Sequence, residues 1–203
     1  MNIGINNIKF SDFEIYIDKE KVIPHIQQGN YYKQGDEFKN ISYKFQIIKD
    51  YEVKIIFNKT ISNMKYLFTD CYDLISINFS ETFDSSYLLS MSHMFSGCNS
   101  LKYVNVSSLN TSLVGDMFNL FKGCSKLTSL SLSNFNTKNI YIIQGIFSNC
   151  DNLNFIDISS FNPTYWYFYN YMFDGLPENG IILINDNLFI RKIYPKDWNI
   201  IKK

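Results

Sequence analysis

Cys71, Cys98, Cys124 and Cys150 have the most chemistry to offer, because a thiolate binds zinc, attacks electrophiles or closes a disulfide. Their spacing decides among these. They lie 27, 26 and 26 residues apart, whereas a zinc site calls for close pairs such as C-x-x-C. Leu176 holds the place 26 residues beyond Cys150. A position that accepts leucine is a core position, and free cysteine packs as a small hydrophobe. Buried free thiols are therefore expected, against the alternatives of disulfides, whose side chains would point in parallel, and of a metal centre. The two histidines, His25 and His93, have no nucleophile or carboxylate at a catalytic spacing, and His93 is expected on the exposed side of its element. Neither phosphate-binding glycine motifs nor G-x-S-x-G occur. N-x-S/T triplets at Asn40, Asn58, Asn78, Asn105 and Asn110 follow from a composition rich in asparagine and serine and carry no functional inference.

The cysteines mark a repeat. Phe68, Phe95, Phe121, Phe147 and Phe173 stand three residues before the cysteines and Leu176, and Leu74, Leu101, Leu127 and Leu153 stand three residues after the cysteines. Ile77 with Phe79, Val104 with Val106, Leu130 with Leu132, Ile156 with Ile158 and Ile182 with Ile184 complete the register. A period between about 20 and 29 residues carrying L-x-x-L-x-L is the signature of a leucine-rich solenoid.

Within each unit Met64, Leu67 and Phe68, and their equivalents through Tyr169, Met172 and Phe173, sit at i, i+3, i+4. That spacing predicts a helical turn or two with one apolar face. Asp70, Gly97, Gly123, Asn149 and Gly175 follow, residue types that tolerate a left-handed conformation and so stop the helix. A short strand comes next, alternating inward aliphatic and outward polar residues. The outward positions form ladders: Ser76, Tyr103, Ser129, Phe155; Asn78, Asn105, Ser131, Asp157; and Ser80, Ser107, Ser133, Ser159. A solvated sheet face explains them without any ligand. As a concave recognition surface, Tyr103 and Phe155 would be its aromatic anchors, with Asn78, Asn105, Ser131 and Asp157 as polar contacts. The run YWYFYNYMF at 165–173 is a second aromatic candidate, expected to pack against adjacent loops.

Laid out in this way, MFSGCNSLKYVNVSSLNTS and LFKGCSKLTSLSLSNFNTKNI resemble the BspA-type leucine-rich repeats known as the DUF285 repeat, with its pattern M-x-x-M-F-x-G-C-x-x-L-x-x-L-x-L-S-x-F-N-T-x-x-V. Residues 64–176 carry the resemblance. It implies a surface-exposed or secreted repeat protein with an adhesion or binding role and no enzymatic activity. Where ordinary leucine-rich repeats place an asparagine, this chain has Leu109, Phe135 or Phe161, with Asn110, Asn136 and Asn162 one residue later, so any asparagine ladder would have its own geometry.

The remaining features bound the reading. Nineteen acidic and nineteen basic residues cancel, which argues against nucleic acid or an anionic membrane as the main partner. No apolar run approaches the roughly 18 residues of a membrane-spanning helix, and the N-terminus lacks the apolar core of a signal peptide, so localisation stays open. Residues 1–57 alternate as strands, at Glu14–Asp18, Lys21–Ile23, Tyr43–Ile48 and Val53–Phe57, with turns at 18–20 and 49–50. They read as a small β unit capping the repeats of residues 58–176. Residues 177–203 hold a last strand, whose apolar Ile181 and Leu183 face outward, and a tail expected to fold back with Trp198 buried. The expected fold class is thus α/β, a leucine-rich-repeat solenoid with a parallel sheet on one side and short helices on the other. The expected function is non-enzymatic binding of a protein or cell-surface ligand without a cofactor. The competing roles are a structural spacer and an accessory region of a larger protein.

Overall fold

The computed structural model describes residues 2–5, 13–22, 25–28, 39–42, 52–162, 167–185, 195 and 197–203. These are rich in strands: β1 (Asn2–Ile5), β2 (Phe13–Ile17), β3 (Glu20–Val22), β4 (His25–Gln28), β5 (Lys39–Ser42), β6 (Val53–Phe57), β7 (Ser76–Asn78), β8 (Tyr103–Asn105), β9 (Ser129–Ser131), β10 (Phe155–Asp157), β11 (Ile181–Ile184) and β12 (Asn199–Lys202). The first six form two antiparallel sheets, ordered β1-β5-β4 and β3-β2-β6. β2 turns into β3 through Asp18 and Lys19, both at positive φ, as a two-residue hairpin of right-handed twist requires. The expected strand Tyr43–Ile48 and the turn at 49–50 lie outside the described residues.

From β7 onward every pairing is parallel. β7 pairs with β8, and β9, β10, β11 and β12 form one sheet. The registers join equivalent positions, Leu130 to Ile156 and Ile156 to Ile182. A second parallel ladder of single bridges links Asn63, Ser90, Asp116, Ile142 and Phe168. Short three-residue strands suffice because the inward residue of each is held by the one above: Leu130 and Ile156 are buried.

The expected short helices are absent among the described residues, and their place is taken by chained turns. Leu67 N–H donates to Met64 O and Cys71 N–H to Phe68 O, while Tyr66 and Asp70 have positive φ. A bond from i+3 to i with positive φ at i+2 is a type II turn. Two such turns back to back put their first and last residues inward, which reproduces the i, i+3, i+4 pattern without a helix. The equivalents His93, Asn119, Gly145 and Tyr171, and Gly97, Gly123, Asn149 and Gly175, also have positive φ, so the left-handed residue recurs every four positions and stops any helix from propagating.

The turns leave alternate N–H groups for the next repeat. Met64, Tyr66, Phe68 and Asp70 donate to the carbonyls of Ser90, Ser92, Met94 and Ser96 at 2.8–3.0 Å, and the same four positions bond onward in the repeats that begin at Met91, Met117 and Ile143. Inside, Phe68, Phe95, Phe121, Phe147 and Phe173 stack with centroids 5.4–6.5 Å apart and planes within 25°.

The other corner is held by hydroxyls rather than by asparagine side chains. Thr111 Oγ1 accepts from Asn136 N–H at 2.8 Å and donates to Asn136 O, and Thr137 does the same for Asn162. Ser85 Oγ accepts from Asn110 N–H. All three hydroxyl residues are buried. The asparagine side chains at 110 and 136 instead accept from Ser112 and Lys138 N–H, two residues on.

At the N-terminal end Phe13 and Ile15 join the core, with Ile55 and Phe57 packed against it. Phe57 meets Phe83 at 5.5 Å, so the β unit adjoins the repeats through rings rather than by extending their sheet. At the other end Trp198 is 6% exposed, its Nε1 donates to Pro177 O at 2.8 Å, and its indole fills the space a side chain at Gly180 would need. Most of the expected fold-back, residues 186–194 and 196, lies outside the described residues. Its final strand β12 extends the sheet, so the edge passes to β12 itself, with Ile200 and Ile201 exposed.

Thr137→Val keeps the shape but removes both hydrogen bonds to Asn162. Leaving a buried N–H unpaired costs about 1–3 kcal/mol, and chemical denaturation should register that loss, whereas Thr137→Ser should recover most of it. Equal stability of the valine variant would show that the hydroxyl column does not hold this corner.

Candidate functional site

The cysteine column is placed by the second turn of each repeat. All four thiols are free and buried. Cys98 Sγ donates to Phe68 O at 3.0 Å, Cys124 to Phe95 O at 3.2 Å and Cys150 to Phe121 O at 3.0 Å. Each of these three thiols thus gives a second bond to a carbonyl of the preceding repeat, which already receives that repeat's own cysteine N–H. Burial raises the pKa of every one, Cys98 and Cys150 to about 12. A thiol so held is neither a nucleophile nor a ready metal ligand; its role is to knit repeats.

His93 is not on the exposed side of a helix, as its place in the sequence suggested. It occupies the left-handed column, half-buried, its ring stacked on Tyr66 at 4.7 Å and met edge-on by Phe118 at 4.9 Å. Burial, and then the cations Lys65 and Lys122, lower its pKa from 6.5 to about 4. The imidazole is therefore a neutral packing group near neutral pH. His25 lies in β4.

The six sheet-face candidates fall on two sheets. Asn78, Tyr103 and Asn105 belong to the β7–β8 pair, and Ser131, Phe155 and Asp157 to the sheet that begins at β9. The two are bridged by Asn134, whose Nδ2 donates to Ser107 O at 2.9 Å. Tyr103 is 58% exposed, and Asn78 and Ser131 are open to solvent. Asn105 Oδ1 is engaged by Ser107 N–H and O–H, and Phe155 is half-buried. Asp157 is 5% exposed and paired with Lys203 Nζ at 2.7 Å. Burial raises its pKa, but hydrogen bonds from Lys203 and Ser159 outweigh this and hold it below the ordinary value. Asp157 anchors the C-terminal strand and is closed to a ligand.

A larger exposed apolar surface lies along the bridge ladder. Leu88, Val114 and Ile140 point inward and are fully buried. The residues beside them are exposed at 87, 89, 113, 139 and 141, while Gly115 is buried. Tyr87, Leu89, Leu113, Tyr141, Tyr167 and Phe168 are each 45% or more exposed. A side chain at Gly115 would collide with the Tyr141 ring, so the glycine lets that ring lie across the neighbouring repeat. None of these positions is charged. The sequence signal was the period-two alternation around 88, 114 and 140, overlooked because these segments lie outside the L-x-x-L-x-L register. Of the aromatic run at 165–173, Tyr167, Phe168 and Tyr171 are exposed rather than packed on loops, and Tyr165 and Trp166 lie outside the described residues.

Residues 62–180 match the family model described as Mycoplasma protein of unknown function, DUF285. The chain belongs to the DUF285 family. No curated protein and no solved structure matches it. The matched span of the DUF285 chain opens at the first repeat and closes just before β11, so it holds the thiol column, the hydroxyl column and the exposed apolar strip together.

Two outcomes check these assignments. Between about 6.5 and about 4 the unfolded chain binds the histidine proton more tightly than the folded one, so His93 lowers stability as pH falls through that window. His93→Asn, which accepts the positive φ, should flatten the fall in melting temperature between those values; an unchanged profile rules the ring out as its cause. All four thiols should also escape a thiol reagent until denaturant is added, and rapid labelling of any of them in the native protein contradicts their placement.

Proposed function

We propose that the protein is a non-enzymatic binding module, a solenoid of BspA-type leucine-rich repeats that docks a protein partner on the uncharged strip formed by Tyr87, Leu89, Leu113, Tyr141, Tyr167 and Phe168. The solenoid reading is supported by parallel pairing between positions one repeat apart and by the unbroken core column of Leu101, Leu127 and Leu153. The observation that carries the binding reading is the strip itself. Its side chains are exposed on consecutive repeats, where a solvated face would carry polar groups. Tyrosines on a stiff scaffold bury large areas at small entropic cost, as interface anchors do, and the leucines add apolar contact around them. The absence of charge favours an apolar protein surface over nucleic acid or an acidic lipid. The sheet face contributes Tyr103 as a secondary contact; Asp157, already paired, contributes none.

Immobilised wild-type chain should retain a protein fraction from cell extract that Leu113→Ser/Tyr141→Ser/Tyr167→Ser loses. Three anchors at about 1–2 kcal/mol each weaken affinity by at least a hundredfold. The melting temperature should barely move, since surface substitutions change stability by about 0.5 kcal/mol or less. Retention by the triple variant with loss in Tyr103→Ala would move the site to the sheet face, and the absence of any retained protein would favour a spacer role.

A further inference from the structure

The exposed apolar strip has the period of the backbone that carries it. Gly115 N–H donates to Leu89 O, Tyr141 N–H to Gly115 O and Tyr167 N–H to Tyr141 O, at 2.9–3.1 Å, so these four positions stand level, one per repeat. Strands bonded in this way lie roughly 4.8 Å apart. Tyr87 and Leu113 form a parallel column two residues earlier, and Phe168 stands one residue later in the last repeat. A row of side chains at that fixed step is matched over four repeats only by an array with the same step. A second copy of this chain has it.

The size and charge of the strip fit the same occupant. An aromatic side chain buries about 150–250 Å² in full, so six large side chains at about half exposure or more offer roughly 600 Å² per copy and roughly 1,200 Å² for a pair, above the about 1,000 Å² expected of a specific interface. The strip itself is uncharged, so two copies of it meet without repulsion. Its rim is charged. Lys138 is exposed beside Asn139, in the repeat of Tyr141, and exposed Asp84 stands in the repeat of Leu89. Asp84 Oδ1 accepts from Ser86 N–H at 3.0 Å and from Ser86 O–H at 2.6 Å, which fixes the carboxylate at that rim.

We propose that two copies pair strip to strip, about a two-fold axis that runs along the strands between the repeats of Leu113 and Tyr141. This rests on the strip being a docking surface and names its occupant. The axis reverses the order of the repeats and keeps the columns aligned. Leu89 then faces Tyr167 of the second copy, and the two Tyr141 rings, each drawn over its own Gly115, meet at the axis. Asp116 comes opposite Ile142 rather than a second carboxylate. Lys138 comes opposite Ser112, and the two lysines swing apart toward Asp84 of the facing copy, one repeat beyond and within a lysine's length. The contact is isologous, so it closes at two chains.

Light scattering across a concentration series tests this. The wild-type mass should rise to that of two chains and stop there, whereas Leu113→Ser/Tyr141→Ser/Tyr167→Ser should stay monomeric. Lys138→Glu and Asp84→Lys, each checked for an intact fold by circular dichroism, should weaken pairing several-fold, because like charges then face each other at both rims. Their equimolar mixture should restore it, since each variant offers the charge that the other lacks. A mixture that pairs no better than either variant alone, or a wild-type mass that climbs past two chains, would overturn the proposal. So would a wild type that is monomeric at every concentration. If that monomer still captures a protein from extract that the strip variant loses, the docking role stands and only its occupant is wrong; if it captures nothing, both readings fall.

Discussion

Every second N–H of the turn column has to find a carbonyl one repeat further on, and most of the chain's chemistry follows from that requirement. A helix would satisfy its donors internally, i to i−4, and leave none for a neighbour. Chained type II turns split the donors: Leu67, Thr69 and Cys71 bond within the repeat while Met64, Tyr66, Phe68 and Asp70 bond across. The backbone thus joins the repeats on the turn edge much as a sheet ladder does on the other. The condition is a left-handed residue every four positions, which explains the recurrent glycine and asparagine at 97, 119, 123, 145, 149 and 175. Where Tyr66, His93 or Tyr171 stands in that column instead, the strain is accepted, and for Tyr66 and His93 the rings stack on each other.

A fixed translation from repeat to repeat also dictates what the interior columns contain. The phenylalanine rings stack nearly parallel because each is carried by the same turn, moved by one repeat. The cysteine column sits beside a carbonyl with a free lone pair, and a thiol is small enough to fill the space while donating weakly to it. Leu176 replaces the thiol at the last of these positions. The hydroxyl column at 85, 111 and 137 works by the same logic: Thr111 and Thr137 both accept and donate, pairing two backbone groups of the next repeat. In both columns a buried polar side chain meets a backbone group of the neighbouring repeat.

The repeats and their buried columns were legible in the sequence because identical burial recurs at a constant interval, and repetition separates pattern from chance. The helices were misread because i, i+3, i+4 is shared by a helix and by two four-residue turns placed end to end. Only the positive-φ residues distinguish them, and one of their two columns was disguised by Tyr66, His93 and Tyr171. The hydroxyl column was missed for a related reason: asparagine at 110, 136 and 162 is conspicuous, but its neighbours Thr111 and Thr137 carry the inter-repeat bonds. At the candidate site, Tyr103 stands open as its alternation implied. Asp157 does not, since its partner Lys203 is 46 residues away in sequence, and no local pattern encodes that pairing. The apolar strip was encoded by alternation about Leu88, Val114 and Ile140, outside the register that drew attention first.

The two edges of the repeats end differently, and the difference is physical. On the sheet edge the ladder is terminated by side chains. β12 takes the register of β11 but places Lys202 opposite Ile184, at the position that holds Phe79, Val106, Leu132 and Ile158 in the earlier repeats. A charge at an inward position discourages a further strand, and the Lys203–Asp157 pair ties the last strand back to β10. On the turn edge side chains add bonds, as the thiols do, but the alternate N–H donors belong to the backbone, so no substitution in the column can reverse their direction without proline. A sequence can blunt a sheet edge residue by residue, but the polarity of the turn edge is fixed by the geometry of the repeat. That edge must be covered by something from outside the repeat or remain open to whatever presents carbonyls in register.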